Sequence, residues 1–277
     1  MSRPDRTLIE FASRFLAQGE AVDDPSLPEH VIRLRDARGR GFVAKRHRTP
    51  ERFRRERHAY TTWTAALGDH APQLLAADPG IQALLLTDLP GVPATALTVD
   101  SSTELSIHED AGKRLRRLHD VQPARTSPSV GPELAERLHR WIDCAAGLLS
   151  SRERRILRRH AHALAISIPL ETAVCHLDFQ PRNWIVRAGA VHLIDFEHAR
   201  IDARVRDLVR LRYRHWARRP SLQRAFLSGY GRELTNAESR ALHHFGAIEA
   251  VTSLVRAHRV NAPDLAVHGR AVLGQLE

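Results

Sequence analysis

Lysine and cysteine are both scarce in this chain of 277 residues. Only Lys45 and Lys113 are lysine among the 42 basic residues, and the two cysteines are Cys144 and Cys175. The cysteines lack the spacing of a metal site, and we predict that both are unpaired thiols in the core. Because lysine is so rare, either a local requirement or chance has placed the two that are present.

Long hydrophobic runs are absent as well. The most apolar stretch, Ile81 to Leu86, is far shorter than the roughly 20 residues of a membrane span. The first residues, Met1 to Arg6, carry charges and lack the apolar stretch of a secretory signal. We therefore expect a cytoplasmic protein without a membrane partner. Hydrophobic residues make up 43% of the chain, enough for one large domain or two lobes that share an interface.

A net charge of +10 raises the possibility of a nucleic-acid partner. The arginines of 152–159 and 116–117, however, lie beside apolar residues at helical spacing, and no aromatic residues are interleaved with them. This pattern is typical of solvated helix faces. We expect no nucleic-acid partner, and salt-sensitive binding would reveal the alternative.

Strand patterns dominate the chain before residue 88. A helix is predicted over 5–18, followed by a hairpin formed by 31–35 and 41–45. Thr49 and Pro50 predict the cap and first position of a helix that runs to about residue 67. Short strands follow over 73–76 and 81–87, and a Pro-Gly pair then breaks the pattern.

Helical patterns dominate after this break. We predict helices over 103–119, 132–149, 151–165, 203–217, 221–230, 236–259 and 263–276. The exception is 172–195, where the pattern predicts strands over 172–175, 184–187 and 191–194 around a polar loop. The last strand run leads directly into Asp195.

The polar loop, His176 to Asn183, and the segment Ile194-Asp195-Phe196-Glu197 carry the candidate chemistry. Phosphoryl transfer needs a carboxylate that orients the acceptor hydroxyl and oxygen ligands for Mg²⁺. Asp178 can be the carboxylate, and Asn183 and Asp195 can be the ligands. Asp178 and Asn183 are five residues apart, as in the kinase catalytic loop, and Asp195-Phe196 stands where the kinase metal motif begins.

Each of these residues alone is better explained as a turn residue that caps its own backbone. Together, His-x-Asp-x-x-Pro-x-Asn and Ile-Asp-Phe-Glu resemble the aminoglycoside phosphotransferase and choline kinase family, which has a protein-kinase-like fold. By position, the resemblance implies that Asp178 is catalytic and that Asn183 and Asp195 hold the metal. It also implies that His176 braces the loop and that Asp207 is a structural support at the next helix.

The region before residue 88 adds a second indication. Kinases place a lysine on a strand of the small lobe and pair it with a helix glutamate. Lys45 ends a predicted strand, and Glu56 shares the apolar stripe of the next helix with Phe53 and Tyr60. Because a carboxylate facing a core is costly unless a cation meets it, we predict a Lys45–Glu56 pair at the nucleotide phosphates. The alternative is that Glu56 pairs with a neighbouring arginine on a solvated edge.

The segment Leu84 to Gly91 is similar to the family's hinge, which implies that Thr87 and Leu89 offer backbone groups to the purine. One departure is the stretch 21–30 before the predicted hairpin. It has two prolines and no glycine, where many kinases have a flexible Gly-rich flap. The resemblance therefore leaves open how the triphosphate is covered.

The resemblance implies an α+β, two-lobed protein-kinase-like fold. Residues 1–87 would form a small antiparallel-sheet lobe with one helix, 88–93 the hinge, and 94–277 a mainly helical lobe. It implies a Mg²⁺-dependent kinase that transfers the γ-phosphate of ATP or GTP to a hydroxyl of an antibiotic-like acceptor. Homoserine, choline, fructosamine or sugar kinases of the same fold are the alternative, and a nucleotide-binding pseudokinase is the non-enzyme alternative.

The acceptor itself is suggested only by charge. Residues 200–277 contain fourteen arginines against seven acidic residues. A polycationic aminoglycoside requires carboxylates to compensate its ammonium groups. This composition favours a neutral or anionic hydroxyl compound.

Overall fold

A computed structural model describes residues 5–16, 19–24, 26–166 and 169–277. Its α-helices are α1 (Arg6–Ser13), α2 (Pro50–Thr62), α3 (Ser101–His119), α4 (Val130–Cys144), α5 (Ser151–Ala165), α6 (Pro220–Tyr230), α7 (Asn236–Val260) and α8 (Pro263–Gly274). Its strands are β1 (Glu20–Val22), β2 (Val31–Arg35), β3 (Gly41–Arg46), β4 (Leu74–Asp78), β5 (Ala83–Thr87), β6 (Val92–Pro93), β7 (Arg125–Ser127), β8 (Leu170–Cys175), β9 (Trp184–Arg187), β10 (Ala190–Leu193) and β11 (Arg200–Ala203).

The first five strands form one antiparallel sheet in the order β1-β2-β3-β5-β4. Alternation along β2 and β3 turns one row of side chains inward, and these pack with α1 in a small core. That core includes Leu8, Phe11, Leu34, Phe42 and Leu85. The predicted helix over 5–18 is therefore present as α1, although it ends at Ser13 and its last predicted positions, 17 and 18, lie outside the described residues.

The predicted hairpin is the second hairpin of the sheet, because β1 pairs with β2 and brings Glu20 opposite Arg35. The stretch 21–30 thus includes the end of β1 and the β1–β2 connection, and the expectation that it precedes the first hairpin is wrong. All three residues of β1 are exposed and form no apolar run, so burial does not stabilise this strand. Backbone pairing with the edge of β2 stabilises it instead.

A second, larger core unites α2 with the helices after residue 100. It surrounds two small sheets, ordered β10-β9-β6 and β11-β8-β7. Together these sheets hold the polar loop and Asp195, because β8 enters the loop, β9 leaves it and β10 leads to Asp195. The fold class is confirmed as α+β with a small antiparallel sheet and a mainly helical remainder. The division of the chain at 88–93 stays a prediction.

Two of the predicted helices need correction. The helix expected over 203–217 is instead a 3-10 turn, Arg204–Leu208, followed by a π-helical turn, Leu211–Trp216. The second helix ends at Thr62, and a 3-10 segment with a left-handed Gly68 continues from there. These segments are apolar at helical spacing, but packing against neighbours selects a tighter or wider turn.

Cys144 is not in the core as predicted. It is exposed at the last residue of α4, whereas Cys175 is buried as expected. The buried face of α4 carries Leu134, Leu138 and Ile142. Two residues beyond Ile142 correspond to about 200° around the helix, which turns Cys144 away from the core. No helix within the described residues is both long and apolar enough to cross a bilayer.

Helices α3 and α6 approach each other at two glycines. A Cβ on Gly229 would lie 1.8 Å from the carbonyl oxygen of Glu109, and a Cβ on Gly112 would lie 2.2 Å from that of Phe226. Neither distance is possible for real atoms, and the obstructing atoms belong to backbone. This contact therefore depends on glycine.

We expect Gly229→Ala to lower the free energy of unfolding by roughly 1–3 kcal/mol or more, because two backbones must separate. Gly147→Ala is the matched control, since nothing lies within 4 Å of its added Cβ. Chemical denaturation of both variants measures the difference. Equal stability of the two would show that the helices can shift without cost.

Candidate active site

The polar loop is anchored by one buried carboxylate. Asp207 accepts hydrogen bonds from the backbone amides of His176, at 2.8 Å, and Leu177. It also contacts Nε2 of His119 at 3.0 Å, and Nδ1 of His119 lies 2.7 Å from the Tyr230 hydroxyl. The carboxylate satisfies the amides of a tight turn in which Leu177 adopts a left-handed φ of 61°. Such a conformation costs of order 1–3 kcal/mol and needs surrounding support.

His176 links the loop to the segment that carries Asp195. Its Nδ1 accepts the Asp178 amide at 3.3 Å, so Nε2 carries the proton and donates to the carbonyl of Ile194 at 2.9 Å. Burial lowers the pKa of His176 and keeps the ring neutral. This neutral tautomer connects the polar loop to the segment before Asp195 through two hydrogen bonds, and the bracing role of His176 stays a prediction.

Asp178 is buried within the loop and accepts several donors. Arg182 donates to its Oδ2 at 2.6 Å and the Asn183 amide nitrogen donates to the same atom at 3.0 Å. Gln180 and Arg210 contact its Oδ1. The side-chain amide of Asn183 also donates to the Asp178 carbonyl at 2.8 Å. Both carboxylate oxygens are therefore held in defined directions.

A second group, which we call the lysine cluster, consists of Lys45, Glu56, Asp195 and Glu197. The ammonium of Lys45 contacts Asp195 directly, lies 2.9 Å from Glu56 and lies 3.6 Å from Glu197. Burial opposes the charge of Lys45, but the three carboxylates outweigh it and raise its pKa. The predicted Lys45–Glu56 pair is present, and Glu56 is only 1% exposed, so the solvated-edge alternative is wrong.

Glu56 does more than pair with Lys45. Its Oε1 accepts the amide of Phe196 at 3.1 Å, and its Oε2 contacts His47, whose other ring nitrogen lies 3.1 Å from the carbonyl of Gln82. Burial raises the cost of the Glu56 charge, but Lys45 and His47 outweigh it and lower its pKa. Helix α2 is thereby tied to the sheet and to the Asp195 segment through one side chain.

Asp195 completes the lysine cluster in a strained backbone conformation, with φ at 68°. Burial opposes its ionisation, yet the charge and hydrogen bond of Lys45 lower its pKa to about 2. Asp195 is thus an anion at neutral pH, and about a quarter of its side chain remains exposed, 27%. Its position beside Lys45 joins residues 150 apart in the sequence.

Asn183 and Asp195 offer the hard oxygen donors that Mg²⁺ prefers. The amide nitrogen of Asn183 is committed to Asp178, which directs its carbonyl oxygen away from that carboxylate. The backbone carbonyl of Asn183 accepts a hydrogen bond from the amide of Ile194 at 3.2 Å. This bond connects the two segments that carry the candidate ligands Asn183 and Asp195. This donor set fits the metal, whereas the metal-binding roles stay predictions.

Thr87 and Leu89 lie where β5 leaves the first sheet. The Thr87 amide donates to the carbonyl of Gln73 at 3.0 Å and is therefore not available to a purine. Within the described residues, Leu89 makes no backbone hydrogen bond. The contacts of Thr87 and Leu89 to a nucleotide stay predictions.

Sequence reasoning missed several charged residues at the site. Glu197 was part of the Ile-Asp-Phe-Glu segment but had no assigned role, yet it contacts Lys45 and accepts a hydrogen bond from Arg52 at 3.0 Å. Arg182 was inside the polar loop but had no assigned role. Arg210 lies three residues after Asp207. The 3-10 and π turns on either side of it depart from regular helical spacing, so helical periodicity did not indicate where its side chain lies.

The model of the phosphotransferase enzyme family matches residues 28–243 of the 277-residue chain. The chain therefore belongs to this family, and the predicted resemblance is confirmed. It is a phosphotransferase with the lysine cluster and the polar loop inside the matched region. No curated protein sequence matches the chain.

Solved structures agree in fold over nearly the whole chain. Macrolide 2′-phosphotransferase MphH from Brachybacterium faecium has a TM-score of 0.66 at 16% identity and covers 98% of both chains. The streptomycin-ATP-APH(2")-IIa ternary complex has a TM-score of 0.66 at 11% identity, covering 99% of this chain and 97% of the other. A choline/ethanolamine kinase family protein from Mesorhizobium loti has a TM-score of 0.66 at 16% identity, covering 96% and 89%.

We expect Lys45→Arg to weaken nucleotide binding by roughly tenfold or more, although arginine is otherwise the preferred cation of this chain. A planar fork cannot replace a point charge that meets three carboxylates in a buried site. Lys113→Arg is the matched control, because Lys113 is half-exposed and pairs with Glu109 one helical turn away. Nucleotide titration compares them, and equal affinities would remove Lys45 from the nucleotide site.

Proposed function

We propose that this phosphotransferase is a Mg²⁺-dependent small-molecule kinase that transfers the γ-phosphate of ATP or GTP to an acceptor hydroxyl. The observation that carries the proposal is the contact of Lys45 with Asp195 beside the braced Asp178 loop. It brings a phosphate-binding cation, a metal-binding carboxylate and an acceptor-orienting carboxylate into one site. The complex of APH(2")-IIa with streptomycin and ATP supports ATP as a donor.

In the proposed reaction, Asp178 holds the acceptor hydroxyl in line with the γ-phosphorus. A bond forms between the acceptor oxygen and that phosphorus while the bond from phosphorus to the β,γ-bridging oxygen breaks. The hydroxyl proton passes to the carboxylate of Asp178, and the nucleoside diphosphate leaves. Because an aspartate is a weak base against an alcohol, orientation contributes more than early proton removal.

The other residues have separate tasks. Lys45 neutralises charge on the α- and β-phosphates, and Glu56 keeps its ammonium in position. Asn183 and Asp195 would hold Mg²⁺, which would neutralise charge on the triphosphate. Thr87 and Leu89 would bind the purine through backbone groups. His176 and Asp207 maintain the loop on which Asp178 lies.

The proposed acceptor is an antibiotic-like compound, whether nucleoside, macrolide, peptide or aminoglycoside. Macrolide 2′-phosphotransferases and aminoglycoside phosphotransferases of the same fold support this class. A metabolite kinase is the second candidate, supported by the choline/ethanolamine kinase family neighbour. We propose that the protein acts in the cytoplasm without a nucleic-acid or membrane partner.

We expect Asp178→Asn to lower kcat by roughly 10²–10⁴-fold and to leave nucleotide affinity nearly unchanged. The amide keeps the shape and one acceptor oxygen but loses the charge and the ability to take a proton. Steady-state kinetics and nucleotide titration on the same preparation decide the matter. A kcat within a few-fold of wild type would remove Asp178 from the mechanism.

Asp195→Ala should abolish nucleotide turnover, and a chelator should do the same to the wild-type protein, because both remove the charge-neutralising metal. Circular dichroism checks that the variant is folded. Exposed Asp264, in the first turn of α8, provides the control Asp264→Ala, which should stay active. Turnover that survives both the chelator and Asp195→Ala would contradict the metal assignment.

A further inference from the structure

Two of the side chains that contact Asp178 are guanidinium groups, and within the described residues none is a carboxylate. We use the name arginine group for Arg52, Arg182, Arg210, Arg214 and Arg256. Arg182 and Arg210 contact Asp178 directly, and Arg52 contacts Glu197 of the lysine cluster. Arg256 lies on α7 about two helical turns after Glu249, which pairs with Arg214, so Arg256 and Glu249 share one face of that helix. The group comes from α2, the polar loop, the segment from Arg210 to Arg214 and α7, so only the fold assembles it.

The carboxylates beside the arginine group are already bound. Glu249 on α7 is 6% exposed and accepts Arg214 at 2.6 Å and His268 at 3.1 Å. Burial opposes its ionisation, but the His268 hydrogen bond and the Arg214 charge lower its pKa to about 2. Glu249 therefore balances the charges of Arg214 and His268 inside the protein.

The arginines also repel one another. Burial comes first in lowering the pKa of Arg256, and the charges of Arg182, Arg214 and Arg52 lower it further. For Arg210, burial together with the charges of Arg214 and Arg256 lowers the pKa to about 10, against the attraction of Glu249. Mutual repulsion of this kind is relieved when an anion binds among the cations.

Arg182 and Arg210 create a further requirement on the acceptor. Both occupy oxygens of Asp178 that an acceptor hydroxyl must reach. An anionic group on the acceptor can draw these guanidinium groups toward itself and leave the carboxylate to the hydroxyl. A cationic acceptor offers them no alternative partner and adds to the positive charge.

We propose that the acceptor carries a phosphate or carboxylate group near the hydroxyl that is phosphorylated, and that Arg182, Arg210 and Arg256 bind this anion. The inference rests on the proposed kinase function and narrows its acceptor class. It favours anionic acceptors over polycationic aminoglycosides. A guanidinium group can form paired hydrogen bonds with either a phosphate or a carboxylate. The proposed site therefore recognises the anionic oxygens that both groups present.

The first experiment measures anion binding without an acceptor scaffold. With ADP and Mg²⁺ saturating and ionic strength held constant with chloride, inorganic phosphate or acetate is titrated while thermal stability is followed. We expect at least one of them to stabilise the wild-type protein, and Arg256→Gln to weaken that binding roughly tenfold. Arg256 is exposed, so this variant should fold. The stronger of the two anions distinguishes a phosphate from a carboxylate acceptor.

Arg240→Gln is the matched control, because Arg240 is exposed on the same helix. Sixteen residues separate it from Arg256, which places it about 160° around α7. The control should keep wild-type anion binding. The proposal fails if neither anion stabilises the wild-type protein, or if Arg256→Gln and Arg240→Gln bind phosphate and acetate equally.

The second experiment compares matched acceptors by transfer of labelled γ-phosphate. Uridine is compared with uridine 5′-monophosphate, glycerol with glycerate and glycerol 3-phosphate, and kanamycin serves as the polycation. We expect higher kcat/KM for the anionic member of a pair, and Arg256→Gln should reduce that preference roughly tenfold while nucleotide KM stays constant. Faster transfer to kanamycin or to the uncharged members would overturn the proposal.

The two proposals fail in different ways. If the protein shows no Mg²⁺-dependent turnover of ATP or GTP, with or without acceptor, the kinase function fails whatever the anions do. If turnover persists and the uncharged or cationic acceptors are preferred, the kinase function stands and the anionic acceptor is wrong. If Arg256→Gln raises the nucleotide KM and leaves anion binding unchanged, the arginine group serves the nucleotide, which also overturns the acceptor proposal.

Discussion

The buried ammonium of Lys45 is the interaction on which the site depends. Three carboxylates, from α2 and from the segment after β10, converge on one charge supplied by β3. Removing any partner of such a cluster leaves an uncompensated charge in a poorly solvated place, which is far more costly than losing an exposed pair. The sheet and the helical part of the chain are therefore held in the relation that brings Lys45 to Asp195.

Two residues with strained backbone lie in the polar loop and the lysine cluster. Leu177 and Asp195 both adopt left-handed conformations, and each directly adjoins or forms part of the charged groups. Their cost is offset by fixed hydrogen bonds: Asp207 accepts the Leu177 amide, and Glu56 accepts the amide of Phe196. Asp207 and Glu56 thereby also fix the positions of Asp178 and Asp195. Fixed positions suit a reaction that depends on positioning and electrostatics.

Much of the fold follows from local sequence. The predicted cap Thr49 accepts a hydrogen bond from the Arg52 amide, and β2, β9, α5 and α6 begin and end within two residues of their predicted bounds. Prediction failed where neighbours decide the conformation. The run over 203–217 has helical periodicity, but packing divides it into 3-10 and π turns, and β1 depends on a pairing edge rather than on its own residues.

The sequence by itself determined the chemical parts of the site, because a loop with Asp178 and Asn183 five residues apart and a strand ending in Asp195 are local patterns. The scarcity of lysine also singled out Lys45. Only the tertiary structure decided the electrostatic surroundings of Asp178, since Arg210 is distant in sequence and is brought to it by the irregular turns that follow Asp207. The amino-acid composition gives the number of arginines in the chain. Electrostatic recognition depends on which of them lie close together, and the fold determines those distances.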